Sequence, residues 1–377
     1  MDVPVFIFLK WLVGFPLLWR VPCSRSPDST KESGPTLSVI IPARNEEQNL
    51  PKLLVTLASQ SIAPHEVIVV DDNSTDATAR CAGEWGASVI DPGTVPVGWT
   101  GKTWACWKGA HQATGDIFLF LDADTRLAPD GLERMRGAFR AQERGLLSFY
   151  PYHLMEKVYE RLSAFFNLVC MMSLGIATVA GSRLKPIGAF GACILCRRDD
   201  YFMCGGHKAV MGKIMEDVAL GQVFRRKGLP MNCLAGRGTI AFCMYPDGIR
   251  QMIEGWSKNF ASGARASRLS LLLLVIVWVT GALQAVIQAA GIPFHGTIDQ
   301  CALACAPYAA YALQIHWMLR RLGNFGITTA VLFPVPLLFF VGVFAYSLVI
   351  TFVVGRVRWR GRSITLDKTA ERRSCST

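Results

Sequence analysis

The apolar run Ile117 to Leu121 ends abruptly in Asp122-Ala123-Asp124, and an earlier run, Glu66 to Val70, ends in Asp71-Asp72. Short runs of β-branched and aromatic residues read as buried strands. Two such strands that deliver carboxylates at the same end constrain the fold, because ligands of an open α/β sheet collect outside the carboxyl ends of its strands. An acidic turn at that edge suits a hard divalent cation, Mg²⁺ or Mn²⁺, which takes oxygen ligands and keeps substrate phosphates in its shell. A single Asp-x-Asp is a common solvated turn; its repetition at a second strand end argues for a site.

The surrounding chain supports a layered sheet. Leu37 to Ile41 is a further buried strand, followed by Pro42-Ala43-Arg44-Asn45-Glu46 and a helical pattern to about Ser59. After Val70, Ser74 or Asp76 can cap the next helix. Ala87 to Ile90 is a third strand, Asp91 to Gly101 a loop rich in Gly, Pro and Trp, and Thr103 to Ala113 a helix that leads into Ile117. This alternation predicts an α/β fold with a mostly parallel sheet flanked by helices and right-handed crossovers. A dinucleotide-dependent oxidoreductase would need Gly-x-Gly-x-x-Gly after Ile41, and Pro42 to Glu46 offers none.

Part of the chain reads as lipid-embedded. Hydrophobic residues make up 51% of it. Residues 3 to 19 are apolar apart from Lys10 and read as an uncleaved anchor within residues 1–20. Leu269 to Ala290 carries no charge over 22 positions, enough to cross about 30 Å of hydrocarbon. Residues 327 to 354 are uncharged over 28 positions but contain Pro334 and Pro336, which predicts one kinked helix or a tight pair. Cys301 to Leu319 is a weaker candidate, so 269–354 is a C-terminal transmembrane region with an unsettled number of crossings.

Within the soluble part, residues 157–180 read as an interfacial helix, with a buried core helix as the alternative. The last segment, 355–377, holds seven basic and two acidic residues of a chain with net charge +11, which places a basic tail on the cytoplasmic side of the membrane. No basic face with interleaved aromatics occurs in the soluble part, so nucleic acid is not an expected partner. The twelve cysteines are scattered, and Cys193-x-x-Cys196 lacks a second pair at zinc spacing, which predicts buried, reduced thiols.

Pro42 to Glu46, Asp71 to Ser74 and Asp122 to Asp124, in this order after successive strands, resemble the nucleotide-sugar-binding half of glycosyltransferase family 2, inverting enzymes of the GT-A fold. Farther on, Gly188-Ala189-Phe190-Gly191-Ala192 resembles the family's acceptor-side glycine-rich strand, and Glu216-Asp217 its Glu-Asp pair at a helix start. The likeness covers residues 35 to 265. Gly98-Trp99-Thr100-Gly101-Lys102-Thr103-Trp104-Ala105-Cys106 is most similar to the 4,4'-diaponeurosporenoate glycosyltransferase group. Processive members carry Gln-x-x-Arg-Trp, whereas Gln251 to Trp256 here has Glu254-Gly255 before the tryptophan, which favours transfer of a single sugar.

The resemblance implies a role for each motif. Pro42, Arg44, Asn45 and Glu46, with Asp71, Asp72 and Ser74, would contact the base and ribose of a UDP-sugar, although Asp71 suits a turn former equally. Asp122 would face the ribose and diphosphate, and Asp124, with Asp122, would hold Mg²⁺ or Mn²⁺. Lys102, just inside a helix N-terminus, would neutralise the departing diphosphate; a solvated lysine is the alternative. Asp217 would be the general base, with Glu216 beside it, either one otherwise a helix-start residue. Gly188, Ala189, Phe190, Gly191 and Trp256 would form the acceptor side, with Trp256 alternatively an interface anchor. His207, after Gly205-Gly206, is either a diphosphate contact or a surface histidine.

The implied protein is a multi-pass enzyme of the cell membrane with its catalytic domain in the cytoplasm. It would move one hexose from a UDP-sugar, UDP-glucose first, to an acceptor from the lipid phase. A carotenoid acid or hydroxycarotenoid is the first acceptor expected, with hopanoid, ceramide, diacylglycerol and polyprenyl phosphate open. A nucleotide-binding transport component is the reading from another class. It predicts ionisable residues within the spans, and those have none.

Overall fold

The computed structural model describes residues 3–25, 34–213, 215–291 and 297–350, together with the backbone at 356–359 and 362–365. The expected basic tail lies outside the described residues except for a hairpin there. Two short helices, α1 (Val3–Leu12) and α2 (Gly14–Leu17), precede the first strand. The strands are β1 (Leu37–Ala43), β2 (Glu66–Asp71), β3 (Ser88–Ile90), β4 (Ile117–Leu121), β5 (Thr125–Leu127), β6 (Leu146–Tyr150), β7 (Tyr152–His153), β8 (Cys193–Arg197), β9 (Met231–Ala235) and β10 (Ile240–Phe242). Backbone strands β11 (Arg356–Trp359) and β12 (Arg362–Thr365) pair antiparallel.

The central sheet runs β3-β2-β1-β4-β8-β6-β9, and only β8 opposes its neighbours. The fold is therefore α/β with a mostly parallel sheet. The four strands expected at Leu37–Ile41, Glu66–Val70, Ala87–Ile90 and Ile117–Leu121 are present. Strand β4 is buried along its whole length because both sheet faces are covered. Ile117, Leu119 and Leu121 face the side packed by α3 (Leu50–Ala58) and α6 (Gly131–Arg140), while Phe118 and Phe120 face α5 (Gly101–Gln112). Helix α3 presents Leu50, Leu53, Leu54 and Leu57, one apolar stripe at helical spacing. Helix α4 (Thr78–Glu84) follows β2. Cys193 and Cys196 fall on opposite faces of β8, both buried, so they share no site. Among the described residues every cysteine is a free thiol.

A helical layer covers the site end of the sheet. Helix α7 (Ala164–Leu174), preceded by a 3₁₀ turn at Val158–Ser163, has Phe165, Phe166, Leu168, Met171 and Met172 fully enclosed. The segment expected to present one face to a lipid surface thus has both faces covered by protein. After α8 (Arg198–Met203) and α9 (Glu216–Arg226), the chain forms α10 (Ile249–Ala266), α11 (Leu269–Ala290), α12 (Ile298–Leu322), α13 (Gly326–Val331) and α14 (Pro334–Val349). Helices α7, α11, α12 and α14 with α1 form one apolar cluster.

Polar bonds hold that cluster in register. Lys10 donates to Gln284, Trp278 donates to Gln314, and Gln314 donates to the Trp11 carbonyl. At Gly281 an added Cβ would stand 2.1 Å from the Tyr311 hydroxyl, so a glycine lets α11 and α12 approach. Among the described helices, α11 is long and apolar enough to cross a membrane; α1–α2 and α14 are shorter apolar stretches. The 327–354 block breaks at Leu332-Phe333, before Pro334, which has no N–H to continue the helical hydrogen-bond ladder.

Candidate active site

Two turns meet at the carboxyl end of β1 and β2. Asn45 takes a left-handed φ of 53°, which turns its amide toward Ser74 and its side-chain carbonyl toward the Thr75 N–H. Glu46 N–H donates to Thr78, and Glu47 N–H to Asp76. The Pro42–Glu46 and Asp71–Asp76 segments are thereby zipped into one ledge. Asp71 is spent inside it, accepting from Ser74 N–H and hydroxyl. Asp72 instead lies in the cavity beside Arg44, 3.7 Å away.

That cavity has a volume of about 920 Å³. Pro42, Arg44, Glu46, Asp72, Lys102, Asp122, Asp124, Ala189, Phe190, Gly191, Glu216, Asp217 and Trp256 all line it. The three acidic clusters found far apart in the chain therefore share one chamber. Asn45, Asp71, Ser74 and Gly188 do not line it and serve its frame.

Asp122 and Asp124 are presented by a tight turn after β4, closed by Thr125, whose amide and hydroxyl both donate to the Asp122 carbonyl. Lys102 reaches Asp122 from the first turn of α5. Thr100 caps that helix reciprocally with Thr103, so the Gly98–Gly101 approach is rigidly aimed. Lys102 Nζ lies 2.6 Å from Asp122 and 3.7 Å from Glu216, and it is about a third exposed. Burial works against its charge, but the two carboxylates outweigh burial and raise its pKa above the usual lysine value. It is a paired cation and not a solvated one.

Asp217 sits at the start of α9, and its position depends on glycine. A Cβ on Gly191 would lie 2.9 Å from the Asp217 carboxylate, and one on Gly188 would lie 2.6 Å from the Val218 Cα. The Gly188–Ala192 segment is a turn that leads into β8, not a strand, and its glycines let α9 seat the carboxylate against backbone. Burial raises the Asp217 pKa, Glu216 beside it raises it further, Lys102 opposes both, and the result is about 6.

Asp122 and Asp124 fit a hard divalent cation by the chemistry of their donors. Among the described residues no group of three or more His, Cys, Asp or Glu gathers to cage an ion, so the protein would supply two carboxylates. Substrate phosphate and water commonly supply the other oxygens around such an ion.

Trp256 on α10 lines the cavity and stacks on Phe166 at 4.7 Å, inside the protein and not at its rim. His207 is buried, bonded to the Tyr201 hydroxyl at 2.8 Å and edged against Phe120. Burial lowers its pKa to about 3, with Lys102 adding to the effect, so it is neither a surface histidine nor a lining residue of the large cavity. Sequence reasoning missed Lys213, Phe242 and Tyr245, which also line the chamber. Lys213 had a signal, since Gly212-Lys213 repeats the Gly101-Lys102 pairing; the aromatic residues had none.

Residues 38–209 match the family model described as Glycosyl transferase family 2. The 4,4'-diaponeurosporenoate glycosyltransferase of Staphylococcus aureus (strain bovine RF122 / ET3-1) is 34% identical over 338 residues, covering 88% of this chain and 89% of the relative. That of strain USA300 is 34% identical over 337 residues with the same coverage. Among solved structures, the mannosyltransferase PcManGT from Pyrobaculum calidifontis in complex with GDP-Man and Mn²⁺ resembles this chain at a TM-score of 0.48 and 19% identity, over 88% of this chain and 95% of that one. Glucosyl-3-phosphoglycerate synthase from Mycobacterium tuberculosis, solved with Mn²⁺, UDP and glucosyl-3-phosphoglycerate, does so at 0.37 and 21%, over 63% and 87%. With its motifs in family order around one cavity and a third of its residues shared with named members, the chain belongs to glycosyl transferase family 2 and is a glycosyltransferase.

Proposed function

We propose that this chain is an inverting hexosyltransferase of the GT-A type that moves one hexose from a UDP-sugar, UDP-glucose first, to an acceptor drawn from the lipid phase. A carotenoid acid or hydroxycarotenoid is the acceptor proposed. The single observation that carries the reading is the continuity of the cavity. It runs from Arg44 and Asp72, past Asp122, Asp124 and Asp217, to apolar side chains of α7, α11 and α14. A water-soluble acceptor needs no such wall. The curated relatives' name points the same way.

In this reading the Pro42–Glu46 ledge and Asp72 hold the base and ribose. Lys102 swings its charge from Asp122 and Glu216 onto the diphosphate as the donor binds. Asp122 and Asp124 would hold a Mg²⁺ or Mn²⁺, whose chemistry is to offset the leaving group's negative charge. Asp217 accepts the proton of a hydroxyl acceptor as its oxygen attacks the anomeric carbon. The bond from that carbon to the diphosphate breaks, UDP leaves with the electron pair, and the configuration inverts. A carboxylic acid acceptor arrives without its proton, and Asp217 then orients it.

The same reading puts the enzyme in the cell membrane through several helices, with the catalytic part in the cytoplasm. What supports it is the spanning length of α11 and the apolar outer faces of α11, α12 and α14, where Leu273, Leu313, Val335 and Leu338 are all more than half exposed. Large exposed apolar area marks an interaction surface.

The test is transfer itself. Purified protein in detergent, given UDP-glucose and an extracted carotenoid acid, is expected to yield a product heavier by one hexose, faster with Mn²⁺ than with chelator. Asp124→Asn is expected to lower turnover by about 10²–10³-fold. Unchanged turnover in Asp124→Asn, or transfer only to water-soluble acceptors, would sink the proposal.

A further inference from the structure

The cavity does not stop at Asp217. Beyond the carboxylate it continues between α11 and α14, where Val275, Ile276, Val279, Phe340, Val341 and Phe344 line it. The wall grades outward. Val275 and Phe340 are nearly closed off at 4% and 6% exposure, whereas Ile276 and Val341 are exposed at 48% and 37%. The passage therefore reaches the outer surface of the protein between two helices, on a face whose neighbouring exposed residues, Leu273, Val277 and Leu338, are apolar too.

The geometry points to a chain-selecting subsite: a side slot between α11 and α14 that takes the hydrocarbon tail of the acceptor while its polar head rests at Asp217. This rests on the lipid-acceptor reading above. None of the six wall residues has a polar side-chain atom, so a tail with buried hydroxyls would lose its water without a partner. Thr280, also in the lining, donates its hydroxyl proton to the Val277 carbonyl in its own helix. Phe340 and Phe344, one turn apart on α14, hold their rings within 2° of parallel. Two parallel rings on one wall suit a flat, extended chain, because offset stacking rewards planar unsaturated partners. The opening lets the tail stay partly in lipid, so only the head need enter the chamber.

Val279, half-buried on α11, is also on this wall, so a larger side chain there would narrow the slot. In detergent, kcat/KM is measured for a long polyene acid and for a short acid of a few carbons, with UDP binding as the check on folding. Wild-type protein is expected to prefer the long acid. Val279→Trp is expected to reduce the long-to-short ratio about ten-fold, the loss of roughly two methylene-sized contacts. Val279→Ala is expected to move preference toward bulkier tails. A wild type that treats both acids alike overturns the lipid-acceptor reading and the slot with it. A wild type that prefers the long acid, with a ratio unmoved in the UDP-binding variants, overturns the slot alone. Should Val279→Trp fail to bind UDP, Val279→Ala decides, and an unaltered tail preference there is the overturning result.

Discussion

Asp217 works in a field set by two neighbours of opposite sign. Burial and Glu216 raise its pKa, and Lys102 pulls it back, to about 6. With a hydroxyl acceptor, kcat/KM is expected to rise with pH through a limb near 6, because only the ionised carboxylate accepts a proton. Glu216→Gln removes a like charge and should move the limb to lower pH, whereas Lys102→Gln should move it higher; a limb that stays put in both variants would exclude Asp217 as the base. Gly191→Ala tests placement. Its new Cβ would press on the Asp217 carboxylate from 2.9 Å, and kcat is expected to fall by about 10²-fold with little change in the KM for donor. Individual roles were only partly legible in the sequence. Asp71 and Asp72 are adjacent carboxylates, yet one caps a turn and the other lines the chamber, a division made by left-handed backbone at Asn45 and Asn73. His207, flanked by glycines and a lysine, reads as polar surface, but its ring is covered by Phe120 and Tyr201 from other parts of the fold.

Elements joined in space carry a second consequence. His153 on β7 is wedged between Phe242 and Phe325, at ring distances of 4.1 and 6.3 Å, where the sheet meets the α12–α13 connection. Its ring is 1% exposed and its Nε2 makes no hydrogen bond. Burial lowers its pKa from 6.5 to about 3. The stability that belongs to the neutral ring is therefore complete above the unfolded value and is lost as pH falls from 6.5 toward 3. The loss from this one residue between pH 6.5 and 5 is roughly 1.5 kcal/mol. Thermal unfolding in detergent should show a smaller drop over that range for His153→Phe than for the parent; an equal drop would mean the ring is not buried neutral. Strand positions were legible because short continuous runs of β-branched and aromatic residues bounded by turn residues, such as Ile117 to Leu121, suit buried strands. Helix α7 was not, since an apolar helix enclosed by protein and one lying on lipid have the same composition.

On the scale of the whole molecule, two surfaces meet: a sheet edge that gathers charge, and a helical cluster whose outer faces are apolar. Such a chain should stay with membranes after an alkaline carbonate wash, and release into the supernatant would contradict the lipid-facing assignment of α11 and α14. Local pattern alone determined the strand–helix alternation, the acidic strand ends, the apolar runs and the family, because these depend on residues close together in the chain. Tertiary structure alone decided that Lys102 bridges Asp122 and Glu216, that glycines at 188 and 191 seat Asp217, and that the chamber is continued by side chains of α11 and α14. Those features arise where segments distant in sequence come into contact. Side-chain direction and cavity shape follow from how the pieces pack, and no linear spacing encodes that.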